Sequence, residues 1–221
     1  MDRIESIMGK LRRMARLSFE NAVRLHEDAV LLFEHHRIPS ALHTSALSIE
    51  ELGKYFMCED LVHHHRTDSK RTEADIQQEM FESYFHTAKQ AWFAGAAFHF
   101  FVSKTLIRIL AAGELEQIKQ NATYVGFPRS RRQIDFQKRV ISPFRASRNR
   151  ATEFITAVND YLIVLAVGIR KAVYGLDIAE VDDRLADERF ELHLYNLWPV
   201  MRPSTKRHLK RLRRFDDADE R

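Results

Sequence analysis

Residues 39–54 read Pro39-Ser-Ala-Leu-His-Thr-Ser-Ala-Leu-Ser-Ile-Glu-Glu-Leu-Gly-Lys54, and the spacing within this stretch decides the fold. Placed at 100° per residue, Leu42, Ala46, Ile49, Gly53, Phe56 and Met57 share one arc of about 100°, the signature of a helix with one buried face. Pro39 disfavours helix at Ile38 and Ser40 suits an N-cap, so the helix is expected from Ser40 to about His63. Gly53 stands inside the apolar arc, where a mid-helix glycine costs about 1 kcal/mol and signals close approach by another helix. Glu50 and Lys54 lie one turn apart beside His43 at the arc's edge, and Glu51 points away.

Upstream, Ala22, Leu25, Ala29, Leu32 and Phe33 recur at three- and four-residue steps and predict a helix over 14–36. The short break at 37–40 favours two antiparallel neighbours. Downstream, 63–75 is polar and reads as a loop. Helical pattern resumes near Glu73 and runs in one or two pieces to Ala112, with Gly113 as its stop. Within it, Ala91 to Val102 is apolar nearly all round, which suits a central helix or a subunit interface. The period weakens from Glu114 to Val140, and Gly126 and Pro128 mark an irregular connection. Ser142-Pro143 reads as an N-cap and N1 pair opening a long helix to about Tyr174, ended by Gly175.

Glycine and proline supply only 12 of 221 residues, too few for the turns of a β-sandwich or barrel. Hydrophobic residues at 45% give ample material for a core. A single cysteine, Cys58, excludes an intramolecular disulfide and a cysteine-based zinc site. The expectation is an all-α bundle of five to seven helices over residues 1–200, followed by a basic, then acidic, tail over 201–221. Charges throughout the first 17 residues leave no apolar core for a signal peptide, and no run reaches the roughly 20 apolar residues of a membrane span. The expected location is cytoplasmic.

Several groups could carry chemistry. His86 and Lys89 share a face of the third helix, and if that face meets Glu50 and Lys54, a carboxylate, an imidazole and two ammonium groups come together. Such a cluster either positions phosphate and moves protons or fixes helix register as an ion network. Net charge is +4, with arginine favoured over lysine, a bias that suits phosphate. Eight basic residues stand between Arg129 and Arg150 (among them Arg129, Arg131, Arg132, Arg145 and Arg148) against the single acid Asp135. A second basic run begins at Arg202 and includes His208. The Asp60-x-x-His63 pair has no second copy, so no di-iron site is expected, and neither metal nor cofactor is called for.

The runs Ala22-x-x-Leu25, Asp28-Ala29 and Phe33, then Pro39 to Lys54, His86-x-x-Lys89 and Lys119-Gln-Asn-Ala-Thr-Tyr-Val125 together resemble the AbiV family of bacterial abortive-infection proteins. The likeness spreads from about residue 20 to 170, and departs at Gly126, where the family commonly has aspartate. The resemblance implies a role in defence against phage and kinship with the HEPN superfamily, many of whose members are dimeric, metal-independent RNases. In those enzymes an arginine four to six residues before a histidine handles phosphate and protons. Arg37 with His43 and Arg202 with His208 have that spacing, no more often than chance gives with 25 arginines and 11 histidines. Arg148-Asn149 matches the superfamily's Arg-Asn, with Glu153 where histidine would stand. Candidate catalytic residues are therefore His86, Lys89, Glu50, Lys54 and His43. The implied partners are a second copy of the chain, RNA and a phage-encoded activator. The alternative is a non-catalytic protein that binds a phage product and blocks translation or growth.

Overall fold

The computed structural model describes residues 3–67, 72–98, 103–130, 133–171 and 179–214. Ten α-helices and one small hairpin make up the described residues: α1 (Arg3–Glu34), α2 (Ile38–Thr67), α3 (Glu73–Glu82), α4 (His86–Phe98), α5 (Lys104–Ala111), α6 (Glu114–Thr123), β1 (Arg129–Ser130), β2 (Gln133–Ile134), α7 (Arg148–Arg170), α8 (Ala179–Ala186), α9 (Glu188–Leu197) and α10 (Pro203–Leu212). The fold is all-α, as the composition and period require. The helices outnumber the expected five to seven because the 73–112 segment is divided into three and the C-terminal fifth folds into three short ones.

The inward stripe of α1 is Met8, Leu11, Ala15, Phe19, Ala22, His26, Ala29 and Phe33, all buried at steps of three and four. The same period starts well before Met14, which is why α1 begins at Arg3 rather than where the sequence reading put it. The reversal into α2 is tight. His36 takes a left-handed φ of 59°, its N–H donates to the Phe33 carbonyl, and the Arg37 N–H reaches the Leu32 carbonyl at 2.8 Å. This is a Schellman closure with histidine in a position glycine prefers. The expected cap at Ser40 is not used. Helix α2 starts at Ile38 with Pro39 in its first turn, where the missing N–H breaks no bond. Its far end runs through the histidine triplet to Thr67, so much of the expected loop at 63–75 is helix, and His64 Nδ1 binds the Asp60 carbonyl at 2.9 Å.

Helix α7 forms the centre, with fifteen consecutive buried positions from Phe154 to Gly168. Its length and apolarity would suit a membrane span, but the other helices bury it, as they do the core helix of a bundle. Aromatic rings tie four helices together. Phe19 meets Tyr55 at 5.5 Å, Tyr55 meets Phe56 at 5.0 Å, and Tyr161 takes Phe56 at 5.3 Å and Phe93 at 5.5 Å. Each such ring contributes roughly 1.5–3 kcal/mol by burial. Ser142-Pro143 opens only a 3-10 turn (Pro143–Arg145), and Ser147 is the residue that caps α7, accepting from the Arg150 N–H. Within the expected tail, α10 packs Thr205, Leu209 and Leu212 inward. The acids at 216–220, the helix stop at Gly175 and residues 99–102 of the apolar segment lie outside the described residues.

Candidate functional site: a buried glutamate between three helices

Gly53 explains how α4 comes to lie on α2. A Cβ on Gly53 would stand 1.9 Å from the Lys89 carbonyl oxygen, so only glycine admits this backbone. The close crossing brings the first two turns of α4 against Glu50, one turn earlier on α2. Glu50 is 2% exposed and fully engaged: His86 Nδ1 lies 2.8 Å from Oε2, Gln90 Nε2 donates to Oε1 at 2.8 Å, and the Lys119 ammonium donates to Oε1 at 2.8 Å. Lys119 comes from α6, is itself buried, and also pairs with Glu116 at 2.8 Å. Burial pushes the Glu116 carboxyl up, but hydrogen bonds from Lys119 and Gln120 outweigh it and hold the pKa below its usual range.

His86 differs from its partners in exposure. Its side chain is 51% exposed, against 3% for that of Glu50. Nδ1 stands 2.8 Å from the Glu50 carboxylate and 3.4 Å from the Lys119 ammonium. The shorter contact, in which Nδ1–H donates to the carboxylate, favours the tautomer with a bare Nε2, which has no partner among the described residues. An accessible imidazole oriented by a buried acid is the arrangement a proton-transfer group needs.

A second histidine, His43 of α2, is held from α6 by Thr123, one turn beyond Lys119. The Thr123 hydroxyl donates to the Lys119 carbonyl at 2.9 Å, so at its 2.8 Å contact with His43 Nδ1 it accepts. That again leaves the far nitrogen, Nε2, without a partner among the described residues. His43 and Thr123 line a groove of about 480 Å³ together with Arg37, His36, Ser40 and Phe144. Arg148 reaches His36 of that lining, its guanidinium 3.4 Å from His36 Nδ1 and 4.3 Å above the Phe33 ring. The groove thus gathers Arg37 and His43, with Arg148 touching it through His36.

Other expected site residues are placed differently. Lys54 does not pair with Glu50. It binds both oxygens of Glu51, at 2.7 and 2.9 Å, on the side of α2 that faces α1. The reason is burial: Glu50 turns inward to α4 and α6, and Lys54 takes the acid three residues back instead of four. Lys89 is buried beside the cluster, and burial pulls its ammonium pKa below the ordinary value, with Glu50 opposing. Arg202 points into the protein, its Nη2 donating to the Glu153 carbonyl at 2.9 Å, while burial holds the His208 pKa down. Arg145 is exposed. Arg131 and Arg132 lie outside the described residues, as does the Arg129 side chain.

Sequence reasoning missed Lys119, Gln90 and Glu116 as members of the site. It also missed that Glu50, His86 and Glu116 bring ligand atoms within 4.8 Å of one another, a set that could hold a metal ion. The Lys119 ammonium already supplies positive charge between the two carboxylates, and an entering cation would have to displace it.

By its all-α fold and the family model that matches it, the chain is a HEPN-type helical bundle. More narrowly, the chain is a member of the AbiV family: the family's model matches residues 10–157, which take in Glu50, His86 and Lys119. Membership places it among abortive-infection defence proteins. No curated protein and no solved structure matches the chain.

Proposed function

We propose that this defence protein is a toxin that cleaves RNA without a metal, with His86 as its proton-transfer group. The observation that supports this reading is the His86–Glu50 contact: a buried acid favours one imidazole tautomer and leaves Nε2 accessible. In the reaction, Nε2 takes the proton of a ribose 2′-hydroxyl, whose oxygen attacks the adjacent phosphorus. The bond from phosphorus to the 5′-oxygen breaks, leaving a 2′,3′-cyclic phosphate and a 5′-oxygen that takes a proton from water, and the imidazolium returns its own proton to solvent. Glu50 stabilises the imidazolium as it forms, and Lys119 and Gln90 keep Glu50 in place. Cations at the neighbouring groove, Arg37 and Arg148, hold phosphate.

The toxin works as a cytoplasmic homodimer awakened by a phage product. The dimer reading rests on the apolar segment 91–102, of which Ala91 and Gly95 are exposed on α4. Light scattering at micromolar concentration checks it: a dimer mass is expected, and a stable monomer contradicts it.

The activity is tested by RNA integrity in infected bacteria. Total RNA should fragment in cells carrying the wild-type protein and stay intact with His86→Ala at equal protein abundance. Fragmentation that persists with His86→Ala overturns the role of His86. Phage restriction with intact RNA favours a non-catalytic block instead.

A further inference from the structure

Between α6 and α7 lie 24 residues, 124–147, in which the described residues form no α-helix, and here the usual placement of aromatic side chains inverts. Tyr124 is 67% exposed, Phe127 41%, Phe136 69% and Phe144 93%. The connector's described residues are tied together by their own backbone bonds. Gly126 and Ile141 exchange both hydrogen bonds of an antiparallel bridge, and Arg129 and Ser130 pair with Ile134 and Gln133. Phe127 and Phe136 meet edge to face at 5.2 Å, which steadies two rings at the surface. Rings held rigid in water cost free energy unless something covers them.

Charge identifies the cover. Lys138, Arg139 and Arg145 are exposed on the same connector, and its one acid, Asp135, lies 3.5 Å from Lys138. The sequence adds Arg129, Arg131 and Arg132 to this stretch. Aromatic faces interleaved with guanidinium groups fit unpaired bases on a polyanionic backbone, and a duplex would hide the faces the rings need. Position agrees. Tyr124 directly follows Thr123, the residue that holds His43, and Phe144 lines the His43 groove.

We propose that the exposed residues Tyr124, Phe136, Arg139, Phe144 and Arg145 of this connector form a platform for single-stranded RNA, with bases stacked on the three rings and phosphates held by the two arginines. This deepens the proposed RNA-directed function by assigning the part of the chain that holds the strand. The test is fluorescence anisotropy of a labelled 12-nucleotide oligouridine with purified His86→Ala protein in EDTA, so that binding is read without turnover.

Binding is expected to weaken steeply with salt and to exceed binding of an RNA duplex of equal length. Phe136→Ala and Phe144→Ala should each weaken it about fivefold or more, and Phe144→Tyr should restore it. These rings are exposed, so the variants retain the fold, as circular dichroism can verify. Equal affinity for duplex and single strand overturns the platform, as does unchanged affinity in both alanine variants. Loss of phage resistance in those variants with RNA affinity intact reassigns the surface to a protein partner. Oligouridine binding that depends on the rings, with intact RNA in infected cells, supports the platform and removes only the cleavage reading.

Discussion

Glu50 and Lys119 are 69 residues apart in sequence, yet their side chains meet at 2.8 Å with both nearly closed to water. A pair this buried is held by geometry rather than by its own attraction, because desolvation offsets much of the Coulomb gain. Removing one member leaves the other charged and uncompensated. Glu50→Gln and Lys119→Met should therefore each lose about 3–5 kcal/mol in urea melts. Lys54→Met, which only breaks the pair with Glu51, should lose less than about 1 kcal/mol. Equal, small losses in all three would return Glu50 to the status of an ordinary surface acid.

Gly53→Ala runs against helix propensity. At an unhindered helical site, alanine gains up to about 1 kcal/mol over glycine. Here the new methyl meets the Lys89 carbonyl at 1.9 Å, and backbone has to move. The expected outcome is a loss of about 1–3 kcal/mol by thermal or chemical melting, with α4 displaced from α2. Because that displacement separates His86 from Glu50, phage resistance should fall as well.

The polar seam beneath the C-terminal helices carries two titrations of opposite sign. Burial pushes the Asp160 carboxyl up to about 6, although the Thr205 hydroxyl, at 2.7 Å, and Arg202 favour its charge. Burial brings His26 down to about 4, with Asn159 opposing through a 3.0 Å bond to Nε2. For Asp160 the folded state binds the extra proton, so its share of stability is lost as pH rises from the usual 3.8 to about 6. For His26 the unfolded state binds it, so its share is lost as pH falls from 6.5 to about 4. Over pH 4–6 the two slopes oppose each other. Asp160→Asn should leave a protein that becomes steadily more stable between pH 4 and 6.5, and His26→Asn one that becomes less stable between pH 4 and 6. Urea midpoints across that range check both.

How legible the site was follows from what each helix buries. Helix α2 announced itself by its apolar arc, and Gly53 within that arc correctly implied a close neighbour carrying His86. Lys54 was misassigned because it can reach the acid at either three or four residues' distance, and only the burial of Glu50 by α4 and α6 decides between them. Lys119 escaped because α6 turns Leu115, Lys119 and Ala122 inward, a stripe whose middle member is a cation. Periodicity sees a gap there and reports a weakened helix. The family resemblance did mark Lys119, but no local spacing could assign its partner, which is a tertiary contact.

The exposure of His86 predicts a separation of fold from function. His86→Ala removes a half-exposed ring and leaves Glu50 bonded to Lys119 and Gln90, so stability should change by less than about 1 kcal/mol. Resistance to phage should nevertheless be lost. His43→Ala, losing only the contact with Thr123, should reduce resistance less than His86→Ala does. A His86→Ala protein that melts several degrees lower would instead give the residue a structural role.

The chemistry assigned to His86 leaves a mark on its product. Attack by the 2′-hydroxyl yields fragments with 5′-hydroxyl and 2′,3′-cyclic phosphate ends, whereas a metal-activated water leaves a 5′- or 3′-monophosphate. The most direct measurement is end-specific sequencing of RNA from infected bacteria carrying wild-type, Glu50→Gln or His86→Ala protein. The account predicts new 5′-hydroxyl ends with wild-type protein, strongly reduced in Glu50→Gln and absent in His86→Ala. Phage restriction by the wild-type protein without new ends, or with monophosphate ends alone, would contradict it.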